Sequence, residues 1–277
     1  MPKIASLQMC SSPLVDENLA TAARLIEEAA SHGAALVVLP EMFAIIGEKP
    51  TDVVAVKETY GSGKIQDFLS KQAKKSNVWI VGGTIPIACD DKHKIKAACI
   101  VYDSQGNAVA RYDKIHLFDV VISETESYRE SDTTEPGNKT VVVDTPVGKL
   151  GLSVCYDIRF PGLYTQLLNQ GAEIITVPAA FTVKTGQAHW QLLLRSRAVE
   201  NFCYVIGAAQ GGTHAGDRKT YGHSLIVEPW GTVIQEITQP GNAIAYANID
   251  LKKLHDIRAL MPVAQHQKIK PDMSGLS

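Results

Sequence analysis

The chain has 277 residues, 45% of them hydrophobic, and a formal net charge of −2. A chain of this length buries an ample core in one or two domains. Near-neutrality without a basic run gives no basis for a nucleic-acid or anionic-membrane partner. No apolar run approaches the ~18 residues of a membrane span, and the N-terminus has no signal-peptide layout, so a cytoplasmic protein without membrane association is expected.

Ile4 to Met9 reads as a first strand. Asp16 to Ser31 reads as an amphipathic helix with Leu19, Ala22, Ala23, Ile26, Ala29 and Ala30 on one face, Asp16 as N-cap and Gly33 as stop. Leu36 to Leu39 is an apolar strand ending at Pro40-Glu41, so it delivers a carboxylate at its carboxyl end. Gly63 to Ser76 is the next helix and Val78 to Val81 the strand after it. Ala97 to Tyr102 and Ala108 to Tyr112 flank a polar loop of hairpin type, and the second strand runs into Asp113-Lys114-Ile115-His116. Ser123 to Asn138 is polar and aperiodic. A structureless loop of this length is uncommon in a compact domain and is usually functional, often as a lid.

Val141 to Asp144 and Leu150 to Val154 form a second hairpin, and its last strand ends on Cys155. A helix from Phe160 to Gln170, a strand from Ile174 to Val177, a loop through Gly186 and a helix from about His189 to Asn201 follow. Tyr204 to Ala209, Ser224 to Val227, Val233 to Ile237 and Ala243 to Ile249 are the remaining strands, and Leu251 to Leu260 is the last helix. Residues 1–260 read as one domain and 261–277, with Pro262 and Pro271, as an extended tail. Both halves hold βαβ units separated by hairpins, a loose internal echo. Helices alternating with strands and hairpins imply mixed sheets, and about a dozen strands are too many for one open sheet. Two sheets face to face with helices outside each, a four-layer αββα sandwich of the α/β class, is the simplest solution.

The five cysteines, Cys10, Cys89, Cys99, Cys155 and Cys203, are dispersed, which argues against a disulfide framework. No Cys-x-x-Cys or His-x-x-x-His spacing supports a metal site, although His189, His214 and His223 could meet in space. Val81-Gly82-Gly83-Thr84 and Gly211-Gly212 match neither a P-loop nor a dinucleotide fingerprint, so neither metal nor cofactor is expected.

Glu41, Lys114 and Cys155 each follow a strand-like run, where side chains of α/β proteins meet ligands. A thiol needs a base, a carboxylate can be that base, and an ammonium can hold an oxyanion. The residue types alone leave open a cap carboxylate, a solvated strand-end cation and a buried core cysteine.

The segments Leu39-Pro40-Glu41, Tyr112-Asp113-Lys114-Ile115-His116-Leu117, Cys155-Tyr156-Asp157-Ile158-Arg159-Phe160-Pro161 and Arg197-Ala198-Val199-Glu200-Asn201 resemble the marker motifs of the nitrilase, or carbon–nitrogen hydrolase, superfamily. The resemblance runs from the first strand to the last helix. It implies the αββα sandwich, a Glu41, Lys114, Cys155 triad acting on a small linear amide through a thioester, and a homodimer or higher homo-oligomer. It also implies a second glutamate before the nucleophile strand, at Glu130, with Glu135 as the rival. Arg159-Phe160-Pro161, Thr185-Gly186, Ala188-His189-Trp190, Tyr221-Gly222-His223-Ser224 and Pro229-Trp230-Gly231-Thr232 are similar to the deaminated-glutathione amidase branch. Omega-amidases acting on 2-oxoglutaramate, N-carbamoyl amidases and a silent scaffold of the same fold are the alternatives. Within the resemblance, Lys114 and the Tyr156 N–H hold the oxyanion and ammonia leaves. Substrates of this branch carry a carboxylate, so a cationic anchor is expected among Arg159, Lys184, Arg195 and Arg197. Tyr156, Arg159, Phe181, Thr182, Lys184 and Arg195 form the substrate-binding set.

Overall fold

The computed structural model describes residues 1–124 and 126–269, which build two mixed sheets with helices outside each. The first sheet runs in the order Ala243–Asn248, Lys3–Gln8, Ala34–Val38, Trp79–Val81, Ile95–Tyr102 and Ile85–Ala88, with Ala108–Asp113 also paired to Ile95–Tyr102. The second runs Val233–Glu236, Leu225–Val227, Tyr204–Ala209, Ile174–Ala179, Gly148–Leu152 and Val142–Thr145. Each sheet has three parallel strands at its centre and antiparallel strands at its flanks. This is the internal echo heard in the sequence.

Strand alternation sorts the first sheet's side chains between two layers. Ile4, Leu36, Val38 and Val101 share a core with Leu152, Val154, Ile175 and Val177 of the second sheet. Ala5, Leu7, Val37, Leu39 and Ile100 pack instead with Leu19, Leu25, Ile26 and Leu69 of the helices Val15–Ser31 and Lys64–Ser76. A strand buried on both faces has no polar face, which is why the chain from Leu36 to Leu39 reads as an uninterrupted apolar run. Each large side chain so buried contributes about 1.5–3 kcal/mol. Between the sheets Ser6 Oγ donates to the Gly207 carbonyl at 2.9 Å. The helices Pro161–Asn169 and Val183–Asn201 cover the outer side of the second sheet.

The structure departs from the sequence reading at identifiable places. The first helix begins at Val15, so Asp16 lies in its first turn and is not the cap; Asn18 ties this end down by accepting from Ser12 N at 2.8 Å. The helix expected from about His189 begins at Val183, with the Thr182 side chain capping Thr185 N. Gly186 hid that first turn in the sequence. A Cβ there would lie 2.3 Å from Tyr221, so glycine is what lets the helix approach its neighbour. The loop expected from Ser123 to Asn138 holds the short strand Ser127–Arg129, paired with Asp119–Val121, and the 3-10 turn Glu130–Asp132. Three-residue strands are too short to show a period. The expected extended tail contains a helical turn, Val263–His266, and its residues 270–277 lie outside the described residues.

Candidate active site

Three strand ends meet in one cleft. Glu41 lies just beyond Ala34–Val38, Lys114 directly follows Ala108–Asp113, and Cys155 opens a 3-10 turn, Cys155–Arg159, just after Gly148–Leu152. Cys155 sits at φ 48°, a left-handed backbone that a side-chain-bearing residue adopts at a cost. Lys114 Nζ lies 2.8 Å from Glu41 Oε1, and 2.9 and 2.8 Å from the two carboxylate oxygens of Glu130. Its side chain is 2% exposed, that of Glu41 6% and that of Glu130 21%. Glu135 is elsewhere, paired with Lys96 at 2.6 Å.

Burial alone would lower the Lys114 ammonium, but the carboxylates of Glu130 and Glu41 outweigh it and hold the group charged, well above its ordinary range. Burial raises the Glu130 carboxyl despite Lys114, and the charge of Glu41 adds to the rise. Burial and then the Glu41 carboxylate push the Cys155 thiol well above its usual value; Lys114 and the Ala180 N–H pull the other way without prevailing. Cys155 is therefore held toward the thiol form with a carboxylate beside it.

Buried polar contacts fix these groups. Asp157, fully buried, accepts from Tyr112 OH at 2.7 Å, Val154 N at 2.8 Å and His116 N at 3.0 Å, so it ties both ends of the Lys114 segment to the Cys155 turn. The His116 ring stacks on Phe160 at 3.7 Å. Glu130 Oε2 accepts from Phe118 N at 2.6 Å. The Glu41 carbonyl accepts from Gln210 Nε2 at 3.0 Å, and Met42 N donates to Thr84 Oγ1 at 2.9 Å. Gly83 explains the double glycine: at φ 46°, any Cβ on it would lie 2.0 Å from the Pro40 carbonyl oxygen and displace Glu41.

The cleft has a volume of about 1210 Å³. Of the substrate-binding candidates, Tyr156, Phe181, Thr182 and Lys184 line it, together with Glu41, Lys114, Glu130 and Cys155. Arg159 is not among the lining residues. Its guanidinium lies over the Tyr156 and Phe181 rings at 5.7 and 5.6 Å and reaches His189 Nδ1 at 3.3 Å. Arg195 is also outside the cleft, where Nε donates to the Gly231 carbonyl at 2.8 Å. Arg197 Nε donates to the Ile158 carbonyl at 2.9 Å while Nη1 pairs with Glu200 at 2.5 Å, bracing the Cys155–Arg159 turn. His189, His214 and His223 have separate partners: Arg159, the Ser11 carbonyl with Thr220, and Glu236.

Sequence reasoning missed Phe118, Tyr128 and Arg218, which also line the cleft. Phe118 packs edge-on against Tyr156 at 5.1 Å and tilted against Tyr128 at 5.3 Å, making an aromatic wall. Their aromatic and cationic type was visible; their convergence depends on loops without periodicity.

The sequence matches the carbon–nitrogen hydrolase family over residues 3–259. A protein named deaminated glutathione amidase from Yersinia enterocolitica is 43% identical over 267 residues, spanning 96% of this chain and 92% of its own. The C. elegans NitFhit protein superposes with a TM-score of 0.88 at 36% identity, covering 96% of this chain and 65% of that one. Saccharomyces cerevisiae Nit3, described as a member of branch 10 of the nitrilase superfamily, superposes with a TM-score of 0.86 at 34% identity over 97% of both chains.

Proposed function

The chain belongs to the carbon–nitrogen hydrolase family and is a hydrolase of carbon–nitrogen bonds outside peptides, and from that premise we propose that Glu41, Lys114, Cys155 and Glu130 are its catalytic apparatus and a deaminated-glutathione-type amide its substrate. The observation that supports the apparatus is one buried ammonium shared by two carboxylates beside a thiol at a strained strand end. The name of the 43% identical relative supports the substrate.

Because burial keeps Cys155 protonated, attack needs a base. Glu41 takes the thiol proton as sulfur bonds to the amide carbon. The carbonyl π electrons move to oxygen, and Lys114 with the Tyr156 N–H, near the open N-terminal end of the 3-10 turn, stabilises the oxyanion. On collapse the C–N bond breaks, and the nitrogen leaves with the proton from Glu41. Water then gives a proton to Glu41 and attacks the thioester, and the thiolate departs and regains that proton. Glu130 holds Lys114 in place.

One expectation changes with the substrate. Deaminated glutathione has no primary amide, so its leaving group is the amine of the cysteinylglycine portion and not ammonia. Ammonia leaves from a primary amide such as 2-oxoglutaramate or from the ureido group of an N-carbamoyl amino acid.

The test measures cysteinylglycine from deaminated glutathione, and ammonia from 2-oxoglutaramate and an N-carbamoyl amino acid, with wild-type and Cys155→Ala protein. Preferred, cysteine-dependent turnover of the first is expected. Preference for another substrate would reassign the specificity, and full activity of Cys155→Ala would refute the thioester.

The same reading makes the protein a homodimer in a reducing cytoplasm. The five cysteines are free, and Leu192, Val199, Trp230 and Ile234 expose apolar surface around the helix Val183–Asn201. Among the described residues no helix is long and apolar enough to cross a membrane.

A further inference from the structure

Several cations line the cleft, and they differ in what already holds them. Lys114 is bound by Glu41 and Glu130. Lys184 donates to the Ile122 carbonyl at 3.0 Å. Arg129 lies opposite Asp119 in the strand register, and its charge helps lower that carboxyl. Lys49 and Lys219 are exposed.

Arg218 stands apart. It is half-buried, and its guanidinium carbon lies 5.9 Å over the Tyr128 ring. Among the described residues no carboxylate forms an ion pair with it. Its backbone is held firmly. Gly216 and Asp217, both left-handed at φ 65° and 58°, turn the chain so that His214 N donates to the Arg218 carbonyl at 2.8 Å. The His214 ring is fixed by the Ser11 carbonyl at 2.8 Å and Thr220 Oγ1 at 2.7 Å, and Thr220 pairs with the cleft residue Thr182. A planar guanidinium on an aromatic face, partly removed from water and lacking a counter-ion, is preorganised for a bidentate carboxylate.

We propose that Arg218 is the carboxylate anchor of the cleft, selecting amides that carry a carboxylate away from the scissile bond, with Tyr128 orienting the guanidinium plane. The proposal rests on the reading of this cleft as the site of amide hydrolysis. It replaces the cationic anchor expected at Arg195 or Arg197, whose guanidinium groups bind backbone carbonyls outside the cleft, at Lys184, whose ammonium is held by the Ile122 carbonyl, and at Arg159, which lies over the Tyr156 and Phe181 rings and reaches His189.

The test uses protection of Cys155 from iodoacetamide, followed by peptide mass spectrometry, with glutarate and uncharged butyramide as competing ligands. Glutarate should protect wild-type protein at lower concentration than butyramide. Arg218→Ala should reduce that glutarate advantage about 10- to 100-fold, the loss expected for a charge-assisted bidentate contact, and Arg218→Lys should restore part of it. Equal losses for both ligands, or no glutarate preference in wild-type protein, would overturn the assignment. Because the readout is protection of Cys155 and not turnover, failure on deaminated glutathione with glutarate protection intact would fault the substrate reading and leave the anchor standing.

Discussion

Two carboxylates against one ammonium leave the Glu41, Lys114 and Glu130 cluster one proton short of neutrality when both are ionised. Burial raises Glu130 and Cys155 first, and the Glu41 charge adds to both rises against the pull of Lys114. The arrangement suits the proposed chemistry, in which the thiol proton moves into the cluster as negative charge moves to the oxyanion beside Lys114. Glu130 gives a test at this scale. Its folded pKa lies above the ordinary 4.5, so its contribution to stability is present below that value and is lost as pH rises through the folded pKa. Ionising this carboxylate in the folded protein therefore costs stability. Glu130→Gln should leave the melting temperature unchanged or higher while kcat falls about 10²- to 10⁴-fold, the separation expected of a group kept for function. The acid limb of the wild-type kcat/KM profile should lie above pH 4.5 and move in this variant. A large drop in melting temperature with activity retained would make Glu130 a structural residue.

At the scale of elements, the site depends on Asp157 joining the end of Ala108–Asp113 to the turn Cys155–Arg159. Asp157→Ala leaves the Tyr112 hydroxyl and the N–H groups of Val154 and His116 without their acceptor inside the protein. Each buried polar group left without its partner costs about 1–3 kcal/mol. Urea unfolding should show that loss, and Asp157→Asn, which keeps one acceptor, should lose less; an unchanged midpoint for Asp157→Ala would mean the tie is redundant. The strand ends behind this argument were legible in the sequence because strand-like runs end just before Glu41, Lys114 and Cys155. The strand Ile85–Ala88 was not, since Pro86 breaks the pattern, and its place at the sheet edge explains why the proline is tolerated. Arg218 was illegible for a different reason. The residue patterns point to cations in the Cys155 motif and the helix Val183–Asn201, whereas Arg218 reaches the cleft on a turn set by left-handed Gly216 and Asp217.

For the whole molecule, the question is what covers the outer face of the helix Val183–Asn201. Leu192 is 64% exposed and Trp230 59%, unusual for side chains of their size unless another surface meets them. The patch is stiff: Trp230 stacks on Phe202 at 6.0 Å, and Arg195 holds the Gly231 carbonyl at 2.8 Å. Arg195, expected to bind substrate, thus orders the turn that carries Trp230. A stiff apolar patch loses little freedom on association, which favours a self-complementary contact between two copies of the chain. Light scattering should give twice the chain mass for the wild type at micromolar concentration, and its melting temperature should rise with protein concentration by mass action. Leu192→Asp, at an exposed helical position that leaves the core untouched, should give the single-chain mass and abolish that concentration dependence. A wild-type protein that scatters as one chain at every concentration would show that this face meets no second copy.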